Sequence, residues 1–418
     1  MNNNHSGFEL KYRPRWIAPL LKEAIKEHPI IVLTGARQVG KSTLLQQEEP
    51  FCNWRYITLD DFDVLAQARR EPASIWAGTE CIVIDEVQKS PNLLNAIKII
   101  VNSSHGKYRF ILSGSANLLL MKNVSESLAG RAVYWTLLPM TEGEINYSPP
   151  PTLLTDLFTG KFPQDLNFEC PSIDTISIMW RGYMPALLSL VDSNAVLRWW
   201  EGYVTTYLER DLRQLSQIEF LPDFKRLMEI SALRCGQILN QSNIAQDTGI
   251  SQPTIHRYLN LLESTCLVQR LPAFTYNRTK RLVKSPKIIW LDPGLASFLC
   301  GHYNPDSLRS SKEAGGIFES MIYLHLSSLC SLLIPRPKIF YWRTTGGKEV
   351  DFVIEWGQKL LAIEVKMSDA ARFSDVDALR VFIEDYPQTF AGILIYTGDK
   401  IKRLHDKIVA IPWQMLAC

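Results

Sequence analysis

The residues with the most specific chemistry lie between Gly35 and Ser42. Gly35, Ala36, Arg37, Gln38, Val39, Gly40, Lys41 and Ser42 fit the spacing G-x-x-x-x-G-K-[ST]. Glycines let the backbone curl until its N–H groups point at phosphate oxygens. Lys41 then reaches the β- and γ-phosphates, and Ser42 offers a hydroxyl to Mg²⁺. Thr43 leads into a helix whose positive end adds to the attraction. The flanks agree: residues 30–33 (IIVL) are a short β-branched run suited to a buried strand, and residues 43–45 (TLL) read as helical. The ligand this set implies is ATP with Mg²⁺.

Hydrolysis needs two further groups, an acid for the metal and a group that positions water. Residues 81–86 (CIVIDE) supply both at the end of an apolar strand. Asp85 would hold Mg²⁺, directly or through water, and Glu86 would polarise the attacking water. Another strand, residues 109–112, ends at Ser113-Gly114-Ser115-Ala116-Asn117. Ser113 is the first choice for a γ-phosphate sensor, with Ser115 or Asn117 as alternatives; plain turn chemistry competes with all three. Arg131, in SLAGR, reads either as an arginine finger acting in trans or as a surface arginine.

The segments GARQVGKST, YITLDDFD, VIDEVQKSPNLL, FILSGSANLL and SLAGRAVYWTLLPMTEGEI together resemble the AAA-type ATPases of prokaryotes. More narrowly, they resemble the branch whose second half is a domain of unknown function. The similarity runs on through RGYMPALL, YLERDLRQL, KRLVKSPKIIWLDPGL and the carboxy-terminal segment. It implies an α/β fold with a five-stranded P-loop core, in which the acidic strand is not adjacent to the P-loop strand. It also implies a homo-oligomer such as a ring, where one subunit's arginine reaches the next subunit's ATP. Ser42 stands where many relatives carry threonine, which does the same job.

A chain of 418 residues exceeds one ordinary domain. Its 46% apolar and 21% charged residues are those of a globular protein, and a net charge of +2 gives no global basic field for nucleic acid. The eight cysteines are scattered without C-x-x-C, which argues against zinc and against a disulfide framework. No apolar stretch reaches a membrane span, and residues 1–8 (MNNNHSGF) lack a secretory pattern. A cytoplasmic location without a membrane partner is expected. The expected division is an ATPase domain over 1–146, a linker and helical region over 147–230, a winged helix-turn-helix over 231–300 and an α/β nuclease-like domain over 301–418.

Residues 178–215 read as helical, with Trp199, Trp200, Tyr203 and Tyr207 as core aromatics rather than a base-stacking surface. The charged run 209–213 (ERDLR) is a solvated face or places an arginine against a neighbour's nucleotide. Residues 239–259 (LNQSNIAQDTGISQPTIHRYL) carry helix-turn-helix grammar: Ser242 and Ser251 as caps, Gly249 in the turn, Ile255 packing back. Residues 267–271 and 288–291 would form the strands of a wing. Between them lie Arg278, Lys280, Arg281, Lys284 and Lys287, the densest basic cluster. On a wing these would lie against DNA phosphates while Gln252, Thr254, His256 and Arg257 face a groove. The competing reading is a protein–protein module.

Residues 348–356 and 359–366 read as two strands joined by the two-residue turn Gly357-Gln358. That turn sets Asp351 opposite Glu364 and Glu349 opposite Lys366, all on one face, with Val350, Phe352, Ile363 and Val365 on the other. Facing carboxylates repel unless a divalent cation lies between them, so Asp351 and Glu364 are candidate Mg²⁺ ligands and Lys366 would lie beside the metal. The arrangement resembles the PD-D/E-x-K nuclease superfamily, and Glu319 matches the helical acid that often joins such sites. The same fold also occurs as inactive scaffolding. Two functions follow: an ATP-driven enzyme acting on DNA, remodelling or cutting it, or a nucleotide-dependent regulatory or assembly protein that binds partners without cutting.

Overall fold

In a computed structural model, the structure describes residues 11–104, 106–114, 128, 130–163, 173–206 and 220–418. Ser115, Asn117, Tyr207 and residues 209–213 therefore lie outside the described residues. The chain forms two compact units. The first takes residues 1–140, 184–189 and 264–266; the second takes 141–183, 190–263 and 267–418.

The first unit is built on a parallel sheet of β1 (Ile30–Gly35), β2 (Arg55–Thr58), β3 (Cys81–Asp85), β4 (Arg109–Ser113) and β5 (Ala132–Leu137), in the order β2-β3-β4-β1-β5. Alternate side chains feed two cores, because a strand's side chains alternate across the sheet. Ile30, Val32, Ile82, Ile84, Phe110 and Leu112 pack with Leu93 and Ile97 of the helix Pro91–Ser103. Ile31, Leu33, Val83 and Ile111 pack with Leu21 and Ile25 of the helix Ala18–Glu27 and with Leu44. Covering both faces explains why these strands read as continuous apolar runs. β4 lies between β1 and β3, so the acidic strand is one removed from the P-loop strand, as the resemblance implies.

In the second unit, after the short helix Glu142–Ile145, a helix Leu153–Phe158 lies inside a segment whose prolines suggest a linker; Leu153, Leu154, Leu157 and Phe158 are buried. The helix expected over 178–215 is broken. Its described parts are Thr175–Arg181 and Ser193–Thr206. The break falls at Gly182 (φ 86°), where a Cβ would stand 2.3 Å from Asp292 Oδ1. Trp200 and Tyr203 are core residues. Helices Gln241–Thr248 and Gln252–Ser264 meet at Gly249, which adopts φ 71°. Asn240, not Ser242, caps the first by accepting from the Asn243 N–H. Ser251 accepts from the Thr254 N–H at the start of the second.

β6 (Val268–Leu271) and β7 (Lys287–Trp290) pair antiparallel, close to the expected positions. The basic segment between them is not an extended wing: Arg278–Val283 is helical. A second, six-stranded sheet joins β8 (Lys338–Arg343), β9 (Glu349–Trp356), β10 (Lys359–Lys366), β11 (Thr389–Tyr396), β12 (Lys402–His405) and β13 (Ile408–Pro412), in the order β12-β13-β11-β10-β9-β8. β9 and β10 pair in the register expected from the Gly357-Gln358 turn, Lys359 with Trp356 and Ile363 with Phe352. Among the described residues, no helix is long and apolar enough to cross a membrane.

Candidate nucleotide site and a buried carboxylate cluster

β1 runs into the glycine-rich loop, and the helix Lys41–Gln47 follows it. Gly35 must be glycine, since a Cβ there would lie 2.3 Å from Leu137 O on the adjacent β5. Gly40 turns the loop at φ 96° and caps the helix without a side chain, so the helix start remains available to an anion. Lys41 is buried, and its ammonium donates to Gly35 O at 3.1 Å and Ala36 O at 2.9 Å. Burial lowers its pKa, opposed by the nearby Glu86 and Asp85.

The acidic strand end meets this loop. Ser42 Oγ donates to Asp85 Oδ2 at 2.7 Å, which brings together the hydroxyl and the carboxylate that would hold Mg²⁺. Both are hard oxygen donors, as that ion requires; bound there, it would neutralise phosphate charge. Glu86 follows in the left-handed region (φ 55°), and its N–H donates to Asp85 Oδ1 at 3.0 Å. A non-glycine residue rarely holds that conformation. Burial, then Asp85 and Asp60, raises the Glu86 pKa, which makes its ionised form a better base. Ser113 ends β4 in register with Leu33. Its hydroxyl is buried without a hydrogen-bond partner among the described residues. Leaving such a group unpaired costs roughly 1–3 kcal/mol, which a phosphate oxygen would recover.

Residues 27–146 match the family described as AAA domain. This segment is an AAA-type ATPase domain. Residues 174–306 and 314–416 match two domains of unknown function, DUF8612 and DUF4143. An uncharacterized protein of Mycobacterium tuberculosis is 29% identical over 400 residues, covering 94% of this chain and 82% of the relative. One from Methanocaldococcus jannaschii is 24% identical over 392 residues, covering 88% and 82%. Among solved structures, a Walker-type ATPase of Pyrococcus abyssi is similar at 17% identity and a TM-score of 0.44, covering 69% of this chain and 99% of that one.

Two residues of the AAA domain's site escape the motif. Tyr56 donates its hydroxyl to Asp85 Oδ2 at 2.5 Å, fixing the carboxylate beside Ser42; burial first and Asp85 next raise its pKa. The buried Arg15 donates to Val39 O at 3.0 Å and Leu138 O at 2.7 Å, tying the loop to the chain after β5. The run RPRW is the only local hint of Arg15. Next to the loop is a cleft of about 140 Å³ lined by Arg13, Arg15, Gly40, Thr43, Pro185 and Leu188 among others. Arg131 Nε donates to Asn102 Oδ1 at 2.5 Å, so within this chain it lies against the helix Pro91–Ser103.

In the second unit, Gln252 and His256 are exposed, and Thr254 and Arg257 are half-buried. The basic segment differs from the expected phosphate-facing wing. Lys284 is exposed, but Arg281 is engaged. Its guanidinium donates to both Glu355 oxygens at 2.8 and 3.0 Å and lies 4.5 Å from the Phe274 ring centre. The Lys280 side chain lies outside the described residues. Lys287 is buried inside the carboxy-terminal carboxylate cluster.

That cluster gathers the residues read as nuclease-like, but not around a shared gap. Lys287 Nζ stands 2.9 Å from Glu319, 2.5 Å from Glu349 and 3.2 Å from Asp351. Asp351 also accepts from the Val365 N–H at 2.9 Å. Lys366 pairs at 2.6 Å with Glu364, two positions before it on β10. Among the described residues, no group of three or more acidic, histidine or cysteine side chains is arranged to hold a metal ion. Burial raises Glu319 to about 8 despite Lys287, and burial followed by Asp351 raises Glu364 to about 8.

Proposed function

We propose that the chain is a Mg²⁺-dependent ATP hydrolase whose turnover drives a conformational change, and that its second unit docks on DNA. The observation that carries the hydrolase is the 2.7 Å contact of Ser42 with Asp85, with Glu86 next along the chain. Lys41 supplies the charge for the β- and γ-phosphates, Ser42 and Asp85 hold Mg²⁺, Glu86 activates water, and Ser113 senses the γ-phosphate. The cleft beside Gly40 and Thr43 is placed to take the nucleoside end. In a homo-oligomer, Arg131 would be the arginine to reach a neighbour's γ-phosphate. Phosphate release by the purified chain, with and without Mg²⁺, tests the reading. Lys41→Ala should bring Mg²⁺-dependent release to background, and release unchanged in that variant would refute the site.

The DNA reading rests on the exposed residues at the start of the helix Gln252–Ser264. Gln252→Glu with His256→Glu and Lys284→Glu should weaken duplex binding and flatten its salt dependence by about one unit of slope per lost phosphate contact. A specific observation favours the second reading, a nucleotide-dependent assembly protein: Arg281 and Lys287, two of the five basic residues assigned to DNA, are spent on carboxylates. DNA affinity unchanged in the triple variant would decide for it.

A further inference from the structure

We propose that Lys287 is a built-in cation held by Glu319, Glu349 and Asp351, so that the carboxylates read as nuclease-like do not take a divalent metal while it is present. The cluster has four acids, Glu319, Glu349, Asp351 and Glu364, delivered by the helix Ala314–Ser331 and by the paired strands β9 and β10. Carboxylates gathered out of water repel, and the arrangement persists only if a cation lies among them. The cation comes from β7. Lys287 is 1% exposed, and its ammonium touches three of the four acids at once.

Two features separate this from an ordinary buried ion pair. Lys287 Nζ contacts Asp351, which the nuclease resemblance makes a candidate metal ligand, and Glu319, the helical acid that often joins such sites. An ammonium offers three donors and no empty orbital, so it balances the charge but cannot activate water as a Lewis acid does. In addition, Glu364 is buried with one carboxylate oxygen, Oε2, that has no hydrogen-bond partner among the described residues. Lys366 takes only the other oxygen. The cluster therefore keeps one oxygen ligand unused beside a cation that is not a metal. Burial disfavours the charged Lys287, but the three carboxylates outweigh it and hold its pKa well above the ordinary value.

The consequence is a joint rather than a cutting centre. Lys287 follows the basic segment and pairs through β7 with β6. It thus ties the strand pair after the helix-turn-helix to the carboxy-terminal sheet by charge. This inference does not depend on ATP hydrolysis by the AAA domain.

The test is Mn²⁺ titration followed by calorimetry and by thermal unfolding. The full chain carries Asp85→Asn, so that the nucleotide site does not contribute. With Lys287 present, no Mn²⁺ site sensitive to Asp351→Ala is expected up to millimolar metal. Lys287→Met should acquire one site per chain at least tenfold tighter, and Asp351→Ala should remove it. Lys287→Arg, which keeps the charge, should acquire none. If Lys287→Met does not fold alone, Mn²⁺ should restore its cooperative unfolding; failure of Mn²⁺ to do so overturns the proposal. So does an Asp351-dependent Mn²⁺ site in the Lys287 chain as tight as that in Lys287→Met. ATP turnover by Lys287→Met with Asp85 intact, expected at the wild-type rate, reports separately on the hydrolase.

Discussion

Glu86→Gln is expected to lower ATP turnover by about 10²–10⁴-fold, the usual contribution of a positioned general base, while ATP still binds. That factor corresponds to roughly 3–5 kcal/mol of barrier. Glutamine keeps the shape and the hydrogen-bonding reach of the side chain, so the loop, Lys41 and Ser42 stay as they are. What it removes is the carboxylate that would accept a proton from water. The backbone supports the specificity of the effect. Glu86 sits in the left-handed region directly after Asp85, a conformation that costs an L-residue about 1–2 kcal/mol and aims the side chain away from the strand's regular alternation. The pH profile gives a second check. Burial, Asp85 and Asp60 raise the Glu86 pKa above its ordinary 4.5. The base is therefore lost by protonation at a higher pH than an exposed glutamate, and the acidic limb of the turnover profile should lie above 4.5. Single-turnover phosphate release together with nucleotide binding separates the outcomes. Turnover within threefold of wild type would remove Glu86 from the water-activating role.

The nucleotide site was legible because its chemistry is local. A phosphate loop needs glycines, a lysine and a hydroxyl within eight residues, and a hydrolysing strand ends in adjacent acids. Each shows in a short window, and the parallel sheet then brings the two windows together. The β9–β10 register was legible for a similar reason, since a two-residue turn dictates which residues face each other. What could not be read were partners far apart in the chain. Lys287 finds Glu319 across 32 positions and Asp351 across 64, and Arg281 finds Glu355 across 74. Read locally, both are members of a basic run. Folded, each is a counter-charge to carboxylates, Lys287 buried and Arg281 half-buried. The break in the expected long helix has the same origin: the Tyr183 N–H donates to Asp292, 109 positions away, directly after Gly182. Tyr56 belongs here too, because an aromatic in a strand gives no sign that its hydroxyl will end on Asp85.

Reversing Arg281 to glutamate should destabilise the second unit by about 3–5 kcal/mol, the usual cost of breaking a buried ion pair by removing one partner. The pair is half-buried and largely withdrawn from water: the Arg281 and Glu355 side chains are 11% and 17% exposed. The guanidinium makes a two-pronged contact with the carboxylate, donates through Nε to Thr275 O at 2.6 Å, and lies over the rings of Phe274 and Phe340 at 4.5 and 4.8 Å. A glutamate there would lose all of these and set two carboxylates against one another under aromatic walls. Lys284→Glu provides the contrast. Lys284 is exposed and three residues further on, and a surface change of that kind stays within about 0.5 kcal/mol. Urea unfolding of both variants should thus show a large fall in midpoint for Arg281→Glu and almost none for Lys284→Glu. Exchanging the charges, Arg281→Glu with Glu355→Arg, should recover part of the loss, because the coupling belongs to the pair. The same experiment bears on DNA. If Arg281→Glu unfolds like the wild type yet binds DNA more weakly, the arginine is a phosphate contact after all, and the ion pair is incidental. If it unfolds early, and the charge exchange restores stability without changing DNA affinity, the basic segment is held to the carboxy-terminal sheet by Arg281, and any DNA contact falls to Lys284 and the exposed residues of the helix Gln252–Ser264.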